Sequence, residues 1–305
     1  MLWTFCITPP GAMLQLWLPI ACISNKARRH PITPLRIMMF EPFRRLFSSR
    51  SSRAPRPSVP AGERYYVIGD IHGRRDLLAA LAQKIDEEAS ECDKACKIIL
   101  LGDLVDRGDD SAGVIRLARE WQKRADVRCL AGNHEEMFLE SFEDKEVLRH
   151  FLKHGGRETI LSYGLDRKQF NDLTIKQLSK RLPEIVPEED RDFLRGFEEM
   201  IIAGDYVFVH AGIDPATPLA EQKRRDLLWI RDRFLRDSGP FEKVVVHGHT
   251  IFEGVVDKGH RIGVDTGAFR TGVLTALVLE GERRWTIQTR AGAGGIEIVR
   301  EEEYA

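Results

Sequence analysis

The stretch Tyr65-Tyr66-Val67-Ile68-Gly69-Asp70-Ile71-His72-Gly73 decides how the rest of this 305-residue chain is read. Its first four residues are aromatic or β-branched, the composition of a strand, and the strand runs directly into a glycine, a carboxylate and an imidazole. Downstream, residues 76–88 set Leu77, Leu78, Leu81 and Ile85 on one helical stripe. Residues 97–101 are nearly continuous in apolar side chains, which predicts a strand buried on both faces. Residues 111–124 read as a second helix with Ser111 as its N-cap, and residues 127–130 as a third strand. This β-α-β-α-β order lays helices over a sheet, so the expected class is α/β, or α+β by some schemes. Residues 134–200 read as mostly helical, with 187–191 a solvated charged face. Strands are expected again at 206–209, 243–246, 273–279 and 285–289, and no internal repeat is evident.

The chemistry lies just past the end of each strand. The first three lead into Gly69-Asp70-Ile71-His72-Gly73, Gly102-Asp103-Leu104-Val105-Asp106-Arg107-Gly108 and Gly132-Asn133-His134-Glu135. Two later ones end in Val209-His210-Ala211-Gly212 and Val246-His247-Gly248-His249-Thr250. A lone Gly-Asp at a strand end is ordinarily a turn, and a lone histidine ordinarily a satisfied structural residue. Five such clusters at strand C-terminal ends point instead to one ligand-binding rim. Carboxylate, imidazole and amide donors without thiolates suit Mn²⁺, Fe or Zn²⁺, and one carboxylate can bridge a pair of such ions. His30, His150, His154 and His260 lack such contexts and read as surface or structural, while His247 shares a strand face with His249.

The ordered motifs GDIHG, GDLVDRG, GNHE, HAG and GHT resemble those of the calcineurin-like metallophosphoesterases, and within them the small bacterial and phage-type phosphoprotein phosphatases. The resemblance spans roughly residues 64–290. It implies a metallophosphoesterase fold, a central β-sandwich flanked by helices with a dimetal site at strand C-terminal ends. It further implies two divalent ions, Mn²⁺ by preference, with Asp70, His72 and Asp103 on the first and Asp103, Asn133, His210 and His249 on the second. Arg107 and Asn133 would bind the substrate phosphate, and His134, buttressed by Asp106, would protonate the leaving alkoxide after attack by a bridging water. The local chemistry agrees: an arginine fork fits phosphate oxygens, and a histidine held protonated by a carboxylate can act as a general acid.

Two departures matter. Many members of the family carry arginine just before Gly-Asn-His-Glu, where this chain has Ala131. The segment Asp226-Leu227-Leu228-Trp229 resembles the one leading to a further phosphate-binding arginine, for which Arg231 is the candidate, with Arg233 behind it. The expected function is hydrolysis of phosphoserine and phosphothreonine esters in proteins or peptides. The alternative is a diadenosine polyphosphate or other nucleotide phosphohydrolase on the same fold. Relatives of that kind carry Gln where this chain has His72 and lack the Asp106-Arg107 pair. A noncatalytic scaffold is disfavoured because no expected ligand is missing.

With 43% hydrophobic and 30% charged residues, the chain reads as globular rather than disordered. The net charge of -1 hides a split: residues 1–60 hold nine Lys or Arg against Glu41 alone, so the remainder is acidic. Residues 1–62 therefore read as a disordered basic arm rich in Pro, Ser and Arg, with Met38 or Met39 as an alternative start, and 63–305 as the catalytic domain. An acidic catalytic domain argues against nucleic acid as its partner. The uncharged residues 1–25 are interrupted by Pro9, Pro10, Gly11 and Pro19, well short of the roughly 20 apolar residues a membrane span needs. Their positive charges come after the apolar run, the reverse of a secretory signal. Cys6, Cys22, Cys92, Cys96 and Cys129 form no disulfide or zinc framework. A cytoplasmic monomer acting on phosphorylated proteins is expected.

Overall fold

In the first strand, Tyr65 and Val67 face one side and Tyr66 and Ile68 the other, and all four are buried. A strand buried on both faces needs a layer on each, and the computed structural model, which describes residues 56–302, supplies both. The strands are β1 (Glu63–Ile68), β2 (Ala95–Leu100), β3 (Asp126–Cys129), β4 (Met200–Ala203), β5 (Tyr206–Val209), β6 (Val244–His247), β7 (Val256–Asp257), β8 (Arg261–Gly263), β9 (Val273–Glu280), β10 (Arg283–Gly292) and β11 (Gly295–Glu301). They form a six-stranded sheet in the order β11-β10-β9-β1-β2-β3 and a five-stranded sheet in the order β4-β5-β6-β8-β7. The β1, β2 and β3 strands run parallel, as do β5, β6 and β8.

Tyr65, Val67, Ile99 and Leu277 of the first sheet meet Tyr206, Phe208, Val246 and Ile262 of the second in a core between the sheets. On the outer face of the first sheet, Tyr66, Ile68 and Ile98 pack beneath α1 (Arg75–Ser90) and α2 (Ser111–Gln122). The second sheet is covered by α9 (Arg224–Trp229) and α10 (Asp232–Leu235), with Leu227, Leu228 and Phe234 against Val207 and Val245. Between β3 and β4 the chain makes a helical block: α3 (Asn133–Glu140), α4 (Lys145–Phe151), α5 (Arg157–Ser162), α6 (Arg167–Asp172), α7 (Ile175–Ile185) and α8 (Glu188–Arg195). That block has its own core around Phe138, Phe151, Leu178 and Leu182. A short α11 (Ala268–Thr271) precedes β9. This is the expected α/β sandwich flanked by helices.

Several expectations need correction. Asp110, not Ser111, caps α2: its carboxylate accepts from the Gly113 amide at 2.8 Å, while Ser111 Oγ turns inward and accepts from the Asp106 amide at 3.0 Å. The run 187–191 is not wholly a solvated face, because Asp190 is buried and ion-paired with Arg119 at 2.6 Å. The strands β4, β7, β8 and β11 were not anticipated. Residues 1–55 of the basic arm, with the alternative starts Met38 and Met39 and with Cys6, Cys22 and His30, lie outside the described residues. Residues 56–62, expected to belong to the disordered arm, instead pack on the domain, with Val59 buried, its amide donating to Gly281 O at 3.1 Å, and the Ser58 amide donating to Asp205 Oδ2 at 2.9 Å. Cys92, Cys96 and Cys129 are free thiols, and no helix among the described residues is long and apolar enough to cross a membrane.

Candidate metal centre

The C-terminal ends of β1, β2, β3, β5 and β6 converge on one rim, and the backbone there is unusual. His72, Asp103, Asp106, Arg107 and His249 all have positive φ, between 45° and 74°, and they are the only non-glycine residues that do so among the described residues. Each such conformation costs about 1–3 kcal/mol and persists only where its surroundings over-determine it. Glu135 supplies much of that constraint. Its carboxylate, 1% exposed, accepts hydrogen bonds from the amides of Asp103 (2.8 Å), Leu104 (2.7 Å), Val105 (3.2 Å) and Gly132 (2.9 Å). The loop after β2 is thereby fastened to the start of α3. Close approach also demands glycine: a Cβ on Gly132 would collide with Asp103, and Gly155, at φ 107°, would place one 2.7 Å from Arg107 Cγ.

Two groups of donor atoms result. His72, Asp103 and His134 form one, Asp103, His210 and His249 the other, with the atoms of each group within 4.8 Å of one another. Asp103 is common to both, its Oδ2 3.5 Å from His72 Nε2 and its Oδ1 3.5 Å from His210 Nε2. The rings are oriented from behind. His72 Nδ1 lies 2.7 Å from Val105 O and His210 Nδ1 2.8 Å from Leu101 O, which puts their protons on Nδ1 and leaves Nε2 as a lone pair facing inward. Asn133 Oδ1 sits 3.0 Å from His210 Nε2 and 2.8 Å from His249 Nδ1.

Burial pushes His72 down to about 3 and His249 to about 2, and lowers His210. Three neutral imidazoles are the ligand-competent form. At Asp103 burial works to raise the pKa, but the imidazoles of His210, His134 and His72 outweigh it and hold the carboxylate below its ordinary value. These donors fit hard or borderline divalent cations.

Asp70 stands just outside the two groups. Both of its oxygens accept from the His249 amide at 3.1 Å. Burial and the charges of Asp265 and Asp103 raise Asp70 well above the usual carboxylate range, and burial brings Asp265 to about 6.

Beside the donor groups is a dyad. His134 Nδ1 lies 2.6 Å from Asp106 Oδ2, and although burial works to lower its pKa, Asp103 and Asp106 outweigh burial and raise it. Arg107 spans the dyad and the first group, with Nη1 2.6 Å from His72 Nε2 and Nη2 2.8 Å from His134 Nε2. The Phe269 ring centroid lies 4.8 Å from its guanidinium carbon. Arg231 reaches the opposite side, Nη2 3.0 Å from His249 Nε2, whereas Arg233 turns away to pair with Asp214. His247 is buried against Phe234 and takes no part, and Ala131 lies in the core beneath the second sheet. His150 and His154 are exposed, and His260 packs against Phe241 away from the rim.

Glu135, Thr159, Asp265 and Phe269 were not singled out from sequence. For Asp265 a signal existed: Asp265-Thr266-Gly267 again places a carboxylate just past a strand, but β8 is only three residues long.

The calcineurin-like phosphoesterase family model matches residues 63–267. A serine/threonine-protein phosphatase 1 of Salmonella typhimurium is 30% identical over 216 residues, covering 69% of this chain and 89% of the relative. A bis(5'-nucleosyl)-tetraphosphatase of Bacillus velezensis is also 30% identical, over 236 residues, covering 70% and 88%. Among solved structures, a cold-active protein tyrosine phosphatase matches with a TM-score of 0.50 at 19% identity, covering 75% of this chain and 78% of the other. That likeness is one of fold.

Proposed function

This chain belongs to the calcineurin-like phosphoesterases, and from that premise we propose that it hydrolyses phosphoserine and phosphothreonine esters in proteins or peptides. In this reading Asp70, His72 and Asp103 hold one divalent cation, and Asp103, Asn133, His210 and His249 hold a second. Mn²⁺ suits the donors best, with Fe or Zn²⁺ as alternatives. When bound, the two cations supply Lewis-acid charge and a water acidic enough to attack phosphorus at neutral pH.

The chain's own residues do the rest. Arg107 and Arg231 lie on opposite sides of the donor groups, and their guanidinium forks suit the oxygens of one phosphate, with the Asn133 amide as a further donor. His134 is close enough by distance to serve as a ligand. Its Asp106 partner at 2.6 Å favours the protonated ring. The Arg107 guanidinium can only donate and lies 2.8 Å from Nε2, and once it turns to a substrate phosphate, Nε2 is the atom that can donate a proton.

The observation that carries the proposal is this His134-Asp106 pair beside Arg107. A serine or threonine alkoxide is a poor leaving group and gains from protonation as it departs, whereas a nucleotide phosphate leaves readily without it. A dinucleoside polyphosphate remains the second reading, because a relative named for that activity matches at the same 30% identity. A monomer in a reducing, cytoplasmic setting belongs to this reading, and Cys92, Cys96 and Cys129, free thiols among the described residues, suit that setting. The deciding experiment supplies the full chain, reloaded with one metal at a time, with phosphoserine and phosphothreonine peptides and with diadenosine tetraphosphate. Higher kcat/KM on the peptides is expected, and faster turnover of the dinucleotide overturns the ranking.

A further inference from the structure

Helix α11 is a single turn, too short to hold its own shape, and the bonds around it supply what it lacks. Left-handed glycines close it at both ends, Gly267 at φ 68° and Gly272 at φ 72°. The Gly267 amide donates to Asp265 Oδ1 at 2.8 Å, and the Thr271 hydroxyl donates to Thr266 O at 2.8 Å. From the loop after β1, Arg74 donates through Nη1 to Ala268 O at 2.9 Å, while the rest of its fork grips the Asp76 carboxylate. The backbone on either side of the half-buried Phe269 is therefore fixed.

The Phe269 ring lies with its centroid 4.8 Å from the guanidinium carbon of Arg107, and edge-on to the His72 ring at 5.3 Å between centroids. The base of the Arg107 side chain is held by another part of the chain. Its amide donates to Gly155 O at 3.1 Å, and its Cγ occupies the space that a Cβ on Gly155 would need. Arg107 is thus gripped at its stem by the turn between α4 and α5 and at its fork by α11. Among the described residues no carboxylate forms an ion pair with it, and its fork meets only the two imidazoles at 2.6 and 2.8 Å. That matters for an arginine that has to bind phosphate. A carboxylate partner would occupy the N–H donors, whereas an aromatic face attracts the cation and takes none of them. Holding the long side chain beforehand also reduces the rotamer freedom lost when it binds.

We propose that Phe269 is a positioning residue for Arg107: its ring is the face against which the fork turns from His72 and His134 to a substrate phosphate, with every N–H donor left free. The inference rests on the reading of Arg107 as a phosphate-binding residue, and the residues implied by the sequence motifs do not include Phe269. Leucine at this position fills much the same space and offers no π face, so it separates the attraction of the ring from its bulk.

The test uses the full chain loaded with Mn²⁺, with inorganic phosphate as an inhibitor of phosphoserine peptide hydrolysis and calorimetric titration of the stripped protein with Mn²⁺ alone. Phe269→Leu should raise KM and the phosphate inhibition constant together by about 2- to 30-fold, the range of a cation–π contact, with kcat changed less than about threefold. Phe269→Tyr keeps the ring and should restore most of the phosphate affinity. In an Arg107→Ala background, Phe269→Leu should change the phosphate constant no further, because the ring acts through Arg107. Should the leucine variant fail to fold, Phe269→Met fills the same space without a ring and gives the same readout. The proposal is overturned by an unchanged phosphate constant, by an equal further loss when Arg107 is already absent, or by a parallel loss of Mn²⁺ affinity, which would place the effect at His72. Arg107→Ala is the reference. If it alone leaves phosphate inhibition intact, the phosphate-binding reading of Arg107 has failed and takes the inference with it; if it weakens inhibition and Phe269→Leu does not, the inference alone has failed.

Discussion

His134 Nδ1 stands 2.6 Å from Asp106 Oδ2 with both side chains buried, and Asp106 is fixed from its far side by Thr159, whose hydroxyl donates to Oδ1 at 2.6 Å and accepts from the Asp106 amide at 2.8 Å. The carboxylate therefore cannot turn away from the imidazole, and Arg107, the next residue, inherits the same anchor. Together with Asp103, Asp106 raises the pKa of His134 against the effect of burial. A raised pKa keeps the ring protonated to higher pH, so an acid at this position stays effective further up the pH scale.

Asp106→Asn should therefore shift the alkaline limb of the kcat/KM profile to lower pH and reduce kcat on phosphoserine peptides by about 100-fold. On para-nitrophenyl phosphate, whose leaving group needs little protonation, the loss should be much smaller. Equal losses on the two substrates, with an unmoved alkaline limb, would remove His134 from the role of acid.

Asp103 is the one carboxylate common to both donor groups, 3.5 Å from His72 and from His210. Asp103→Asn should cost both sites at once, weakening Mn²⁺ binding by at least about 100-fold, since loss of even outer-shell partners costs 10- to 100-fold. Activity should fall with it and return only partly at high metal. Metal content after dialysis and kcat at saturating Mn²⁺ check this, and wild-type values for both count against the site.

Much of this centre is legible in the sequence. Each donor of the two groups sits within a few residues of a strand end that apolar runs already mark, so short contiguous motifs such as 69–73 and 102–108 carry both the fold and the donor set. The parts that escape are tertiary. Thr159 on α5 reaches Asp106 across 53 residues of chain, and nothing local to residue 159 announces it. The strand β8 escapes because it has three residues, one of them the buried Arg261, and β11 because nearly all of it is exposed. Arg231 and Arg233 cannot be separated by pattern, as both come soon after Trp229. Only the turn into α10 sends one to His249 and the other to Asp214.

Glu135 should matter for stability more than for chemistry. It accepts four backbone amides through two oxygens, and burial, followed by the charge of Asp103, lifts its pKa from 4.5 to about 7. A carboxyl whose folded pKa is raised contributes stability that is fully present below its unfolded value and is lost as pH rises through the folded value. The contribution of Glu135 should thus fall away between about pH 4.5 and 7, against the opposite trend from His72, His210 and His249, whose lowered values favour the folded state as pH rises. Glu135→Gln has one acceptor oxygen in place of two and turns an NH₂ group toward amide donors, a cost of about 2 kcal/mol or more. It should lower Tm at every pH, and by more at about pH 4.5 than at about pH 7. A variant that melts like wild type, or keeps the same pH slope, contradicts this role for Glu135.

Arg231 differs from Arg107 in being exposed and in meeting the site at one residue, with Nη2 3.0 Å from His249 Nε2 and donating to His249 O at 3.5 Å. Ala131 stands where many members of the family carry an arginine before Gly-Asn-His-Glu, so in the proposed reading a larger share of phosphate binding should fall to Arg231. Loss of a charged hydrogen bond to an anion costs about 1.5–3 kcal/mol, which corresponds to roughly 10- to 100-fold in binding. Arg231 touches neither His134 nor Asp106, so that loss should fall on binding rather than on proton donation. Arg231→Ala is expected to raise KM for phosphopeptides and weaken inhibition by inorganic phosphate within that range, with kcat changed less than about threefold. Arg233→Ala, which removes the partner of Asp214, serves as the neighbouring control and should leave phosphate inhibition alone. If the two variants show the same phosphate inhibition constant, the approach of Arg231 to His249 has no bearing on substrate. A fall in kcat without a change in KM would instead place Arg231 among the groups that act only in the transition state.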